Sequence, residues 1–216
     1  MKGPTRILVL AGVLASIALG VALAATAVPV TLGPKSTLQV FGSSTMHAWE
    51  LTSVASKVTV HRADAATGND WIALVKAGQV SSVDVVVPVA TLHSEKSGID
   101  KNMLKTMNAK EHPDVTVHLE KFVPAGAVGD TLKLTAEGTI TIAGSTKPVV
   151  LNGHMVPGSG GVWLSGDYNL KMSTFGIKPP TMMMGAIKVG DPVTIKYQLL
   201  LMNRDVASIT SPTSGN

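Results

Sequence analysis

The sequence predicts an all-β protein with one short helix, its antiparallel sheet of eight strands closed into a barrel. Three observations carry that expectation. From Asp130 to Gly144, DTLKLTAEGTITIAG, residue type changes at every step, with Leu132, Leu134, Ala136, Gly138, Ile140 and Ile142 on one parity and Thr131, Lys133, Thr135, Glu137, Thr139 and Thr141 on the other. A period of two belongs to a strand with one dry and one wet face. Turn-forming clusters separate further segments of the same pattern, so the connections read as hairpins, and only one later stretch has helical spacing. Such a sheet needs its edges closed: a barrel abolishes them and leaves room for one small ligand, while two packed sheets are the competing arrangement.

The elements follow in order. Residues 1–27 open with Lys2 and Arg6, run apolar from Ile7 to about Leu23 and end in Ala24-Ala25-Thr26-Ala27, which is the pattern of a secretory signal peptide cut after Ala25 or Ala27. An uncleaved anchor is the alternative; with cleavage the mature chain is expected to be exported and soluble, or peripheral to a membrane. Ser36 to His47 reads as a first strand bent at Gly42, Trp49 to Arg62 as a second, and Ala77 to Val89 as a third with apolar residues on both faces. The cover for that third strand is the helix after Ser97, where Ile99, Met103, Leu104 and Met107 recur at helical spacing and Ser97 with Asp100 offers a capping start. Asp114 to Val123, the long strand 130–144, Thr146 to Val156, Val162 to Met172 and Asp191 to Met202 complete the eight. Pro124 to Gly129 reads as a loop, Gly144-Ser145 as a tight turn, and Ser173 to Gly190 as a long connection carrying Met182-Met183-Met184. The domain is expected over residues 28–204, followed by a Ser, Thr, Pro and Gly tail over 205–216.

Composition narrows function by exclusion. The chain has 216 residues, enough for one domain with a sizeable core. Its 18 Lys+Arg against 14 Asp+Glu fall to 16 against 14 once Lys2 and Arg6 are set aside, so the formal charge drops from +4 to about +2. No basic stripe with interleaved aromatics accompanies it, and nucleic acid is not an expected partner. With no Cys there is no disulfide, no thiolate metal site and no Cys nucleophile. His47, His61, His93, His112, His118 and His154 show no metal-ligand spacing, the methionine triplet has no Met-x-x-Met array for copper, and no Gly-x-Ser-x-Gly elbow exists. No metal, cofactor or catalytic residue is expected. The dry-parity residues either line a tunnel or fill a solid core, and periodicity does not separate the two.

Four stretches resemble the YceI-like family of polyisoprenoid-binding periplasmic proteins: Phe41 to Glu50 (FGSSTMHAWE), Val87 to Leu119, Gly138 to Leu151 (GTITIAGSTKPVVL) and Met172 to Ile195. They stand in the family's order and span nearly all of the mature chain, although the methionine triplet replaces more mixed residues in related chains. The resemblance implies a lipocalin-like barrel and a non-enzymatic carrier, periplasmic or secreted, with a long isoprenoid lipid of the quinone or polyprenyl phosphate type in the lumen. On that footing Trp49, Met103, Met107, Leu132, Leu134, Ile140, Ile142, Phe175, Met183, Ile195 and Leu199 are the candidate lining. Isoprene units suit a tunnel because each buried CH₂ contributes about 0.8 kcal/mol without polar contacts. Methionines adapt to a flexible chain, and small residues such as Ala136 and Gly138 leave it space. Transient contact with a membrane follows from such cargo. A homodimer stays open, as does a protein-interaction module with a filled core.

Overall fold

In the computed structural model, which describes residues 26–63, 68 and 70–202, strands of alternating sequence pair with their neighbours almost throughout. They are β1 (Thr26–Val30), β2 (Thr37–Ser44), β3 (Ala48–Ser53), β4 (Lys57–Arg62), β5 (Val80–Pro88), β6 (Asp114–Val128), β7 (Thr131–Ile142), β8 (Ser145–Gly158), β9 (Gly161–Lys171), β10 (Thr181–Met182) and β11 (Ile187–Met202). Two α-helices, α1 (Trp71–Lys76) and α2 (Ser97–Thr106), interrupt them. All ladders are antiparallel, in the order β1-β4-β5-β6-β7-β8-β9-β11-β2-β3, with β10 paired to β11.

The first and last strands of that order are joined by bridges from the chain beside them. Residues 31–33 run on from β1 and attach to the end of β11, the Gly33 N–H donating to Leu200 O at 2.8 Å and the Met202 N–H to Thr31 O at 3.0 Å. Across the gap beside β3, Thr52 and His93 exchange both backbone bonds, at 2.8 and 3.0 Å, and the Ser53 and Thr91 hydroxyls meet at 2.7 Å. The sheet thereby curls into the lipocalin-like barrel.

The strand count is eleven among the described residues where eight were expected, and each extra has a local cause. Trp49 to Arg62 is two strands because the Ser53 hydroxyl takes the Ala55 N–H at 3.2 Å and turns the chain at Val54–Ser56. β1 lies partly within the stretch read as signal peptide, Ala27 pairing with His61. β10 arises because the connection before β11 doubles back on it, and β11 itself begins at Ile187 rather than Asp191. Pro124 to Gly129 is largely strand, since β6 reaches Val128 through two register shifts. The rest of that stretch and all of 205–216 lie outside the described residues.

Turn chemistry matches its geometry. Ile142 pairs with Ser145 across Ala143 and Gly144, whose φ angles of 47° and 76° give the two-residue primed turn that fits strand twist. Gly42 is no bend. It is a regular strand position, paired with Trp49 and Val193, and a side chain there would collide with the Trp49 indole that lies against it.

The helices depart from expectation. α1 is a second helix, too short to show a period in sequence: the Asp70 carboxylate accepts the N–H groups of Ile72 and Ala73 at 2.9 and 3.1 Å, and Trp71, Leu74 and Val75 bury against Val58, Val60 and Leu132. α2 starts where predicted, but Lys96 occupies the cap position and Ser97 makes no capping bond. Asp100 instead reaches back to the backbone N–H and hydroxyl of Ser94, both at 2.8 Å. Nor does α2 cover the outer face of β5: its Ile99, Met103 and Met107 face the same interior as Val83, Val85 and Val87.

The outer wall over β4, β5 and β6 carries a polar ladder. The Asp84 carboxylate bridges His61 Nε2 at 2.7 Å and His118 Nδ1 at 2.6 Å. The hydrogen bond to His118, opposed by partial burial and aided by His61, holds Asp84 below its ordinary value of 3.8. A depressed carboxylate stabilises the fold above its unfolded pKa and loses that contribution as pH falls through the folded value. Asp84→Asn should therefore flatten the decline of Tm between about pH 5 and pH 2, and thermal melts of both proteins across that window check it. Asp70→Ala should lower stability by about 1 kcal/mol through loss of the α1 cap, read from urea unfolding midpoints.

Candidate functional site

The inward parity of the strands does not fill the barrel. A cavity of about 530 Å³ runs through it, walled by β2, β3, β4, β5, β6, β7, β8, β9 and β11. That volume is in the range of small-molecule sites. Two packed clusters flank it. One gathers Val58, Val60, Leu74, Leu132 and Leu201 around α1; the other gathers Leu119, Ile142, Val149, Phe175 and Ile177. Trp71 and Val75 present α1 to the cavity and close that side with buried side chains.

The opening lies at α2. Every residue of this helix is at least partly exposed, yet Ile99, Met103 and Met107 line the cavity. Asn102 Nδ2 donates to Met182 Sδ at 3.1 Å and joins α2 to β10 across the opening. His47, Lys96 and Gly98 are solvent-exposed and also line the cavity, so it communicates with water there. A second hollow of about 440 Å³, more polar, shares Asn102, Thr106, Ile177, Pro180 and Met182 with the first. α2 is thus held mainly by its edges rather than by a buried face.

Polarity is graded along the lining. Ser44, His47, Lys96, Asn102 and Thr106 gather at the opening, while the strand walls contribute mainly Val, Leu, Ile, Met and Ala, with the aromatic Trp49, Phe122, Tyr168 and Tyr197. Of the two phenols on the strand walls, Tyr168 and Tyr197, the second is held against glycine. Its ring lies against Gly153 and Gly166, where a side chain would strike the phenol, and its hydroxyl is 3.4 Å from Asn152 O. Burial, with a smaller push from Asp167, raises this phenol to about 12, so it remains protonated. Among the described residues no group of His, Asp or Glu has metal-binding geometry. A water-poor apolar lumen with a polar rim can hold a long hydrocarbon and leave a polar end outside.

Of the residues read from sequence, Trp49, Met103, Met107, Leu134, Ile140, Ile142, Ile195 and Leu199 line the cavity. Three stand elsewhere. Leu132 is packed into the cluster around α1. Phe175 is buried beside the second hollow, because the short 3₁₀ turn Met172–Phe175 swings it behind the wall. Met183 points to solvent, 73% exposed, while its neighbour Met182 takes the inward place. Sequence reasoning passed over Tyr197 and Lys96; the parity of Tyr197 with Ile195 and Leu199 was the available signal for the first, and nothing local marked the second.

Comparison with known proteins fits this geometry. The structure is similar to Burkholderia cenocepacia BcnA, with a TM-score of 0.58 at 16% identity over 78% of this chain and 97% of that one. It is also similar to a polyisoprenoid binding domain from Saccharophagus degradans implicated in plant cell wall breakdown, with a TM-score of 0.57 at 10% identity over 78% and 94% of the two chains. A Campylobacter jejuni YceI protein mutant gives a TM-score of 0.51 at 18% identity, covering 71% and 84%. At these identities the likeness concerns the fold. No curated protein matches the chain. The YceI-like domain model matches residues 34–201, the barrel apart from β1, the bridging residues 31–33 and the last residue of β11, and the chain belongs to the YceI-like family.

Proposed function

We propose that this protein is an exported carrier or sequestering protein that holds a long isoprenoid lipid in the barrel lumen and exchanges it with a membrane. The observation that carries this reading is the 530 Å³ apolar cavity that the strands enclose and leave unfilled. A domain that served only as an interaction module would gain stability by packing that space, since unfilled volume forfeits dispersion contacts. The Saccharophagus degradans neighbour is a polyisoprenoid binding domain, which supports the same ligand class here. YceI-like domains are binding domains, and no catalytic step is part of the proposal.

The graded lining suggests how the cargo lies. Hydrocarbon fills the wall region, and a quinone ring or phosphate stays near Lys96, His47 and Asn102, where water and donors compensate its polarity. Export places the protein in the periplasm or outside the cell, next to membranes that contain such lipids.

The test is native mass spectrometry on protein purified without detergent from an exporting host, followed by titration with an isoprenoid quinone and with a polyprenyl phosphate. A discrete added mass identifies the cargo; a bare chain that takes up neither lipid refutes the carrier reading. Ala136→Phe should project a ring into the lumen and displace roughly two methylene groups of tail, about 1.6 kcal/mol or some tenfold in Kd. Quenching of the lumen-lining Trp49 and Trp71 by bound quinone measures that loss.

A further inference from the structure

The methionines that leave the cavity mark a second surface. Met46, Met183 and Met184 are 67%, 73% and 107% exposed, a costly way to deploy large apolar side chains in water. The other exposed large apolar residues, Val54, Val123, Val128 and Val150, lie in or beside wall strands. The three methionines share the rim. Met46 is in the turn between β2 and β3, and its neighbour Thr45 ties that turn to the methionine segment: the Thr45 N–H donates to Lys188 O at 2.9 Å and its hydroxyl to Ala186 O at 3.2 Å. On one side of this joint Met182 lines the cavity, and on the other His47 does. Met183 and Met184 both hold left-handed backbone, with φ of 51° and 55°, a conformation disfavoured for two successive non-glycine residues. Such conformations persist where surrounding structure imposes them and cluster at functional segments. Here they carry the pair outward.

The charge around the rim selects the partner. Lys96, Lys101, Lys105, Lys178 and Lys188 are exposed on α2, the segment before β10 and β11, and none is in an ion pair among the described residues. The acids on the same elements are Glu95, Asp100, Glu111 and Asp191; they keep their charge while Ser94, Asn108 and Ser173 bond the last three, and the five lysines with exposed Lys110 outnumber them. Exposed apolar tips beside a lysine-bearing face fit a membrane interface of anionic lipid, where the tips enter the acyl boundary and the ammonium groups meet phosphates. We infer that Met46, Met183 and Met184, with the surrounding lysines, form the surface that docks the cavity opening onto an anionic bilayer. This inference rests on the carrier reading, because docking there lets an apolar cargo pass between bilayer and lumen without crossing water.

Sedimentation of the mature chain with vesicles of phosphatidylethanolamine and phosphatidylglycerol, and with phosphatidylcholine alone, tests it. The triple variant Met46→Ser, Met183→Asn, Met184→Asn removes the apolar tips and keeps side chains that accept left-handed backbone. Wild type should bind the anionic vesicles in preference to phosphatidylcholine, and the variant should bind them about tenfold or more weakly. Quinone titration in solution is the parallel readout and should be unchanged, because none of the three side chains lines the cavity. Undiminished vesicle binding by the variant, equal binding to both vesicle types, or no vesicle binding by a wild type that takes up quinone overturns the inference. Vesicle binding lost in the variant, from a wild type that binds no isoprenoid, supports the docking surface and refutes the carrier reading.

Discussion

The structure depends on closing a backbone ladder around a space without filling it. Strands whose dry faces all turn inward remove apolar surface from water only if the sheet curls until those faces meet. The curl leaves first and last strands that cannot be allowed to template aggregation. Residues 31–33 resolve one side by passing from β4 to β11, and the exchange between Thr52 and His93 resolves the other. Both closures are made by backbone exchange, with Leu32 packed against the cluster around α1. Wall hydrogen bonds and the two clusters at the flanks hold the barrel, and the middle is free to remain a cavity.

That division explains the unequal helices. α1 buries Trp71, Leu74 and Val75 and is fixed by its Asp70 cap, as a permanent closure must be. α2 buries none of its residues and is held at its edges by Asp100 with Ser94 and by Asn102 with Met182. A segment with few buried apolar contacts opens at lower free energy than the walls around it. The same side of the barrel carries the polar lining, so the element with least packing stands where cargo would enter.

Much of this was legible in the sequence because alternation and hairpin chemistry act locally. β7, β8 and β9 appear near their predicted bounds, and the parity of Leu134, Ile140, Ile142, Ile195 and Leu199 places each on the lumen wall. The failures fall where side-chain period carries no signal, either because a distant element packs over the residue or because a local turn re-aims it. Leu132 has the right parity, but α1 packs over it, and α1 leaves only six residues of signal. Phe175 and Met183 are decided by 3₁₀ turns and left-handed backbone inside a connection with no periodicity to read. The bridges that close the barrel are single backbone exchanges, to which side-chain pattern is blind.

Parity also cannot tell a lumen from a core, because both demand apolar residues at alternate positions. The difference lies in summed volume across facing strands. Gly153 and Gly166 sit opposite each other in neighbouring strands, and the lack of a side chain at each leaves room for the Tyr197 phenol. Ala136 adds a second shallow place on the wall. Small residues set beside large ones keep the interior open, and this requires strands brought together from across the chain. The unfilled volume is therefore a tertiary property built from residues that each look like ordinary core.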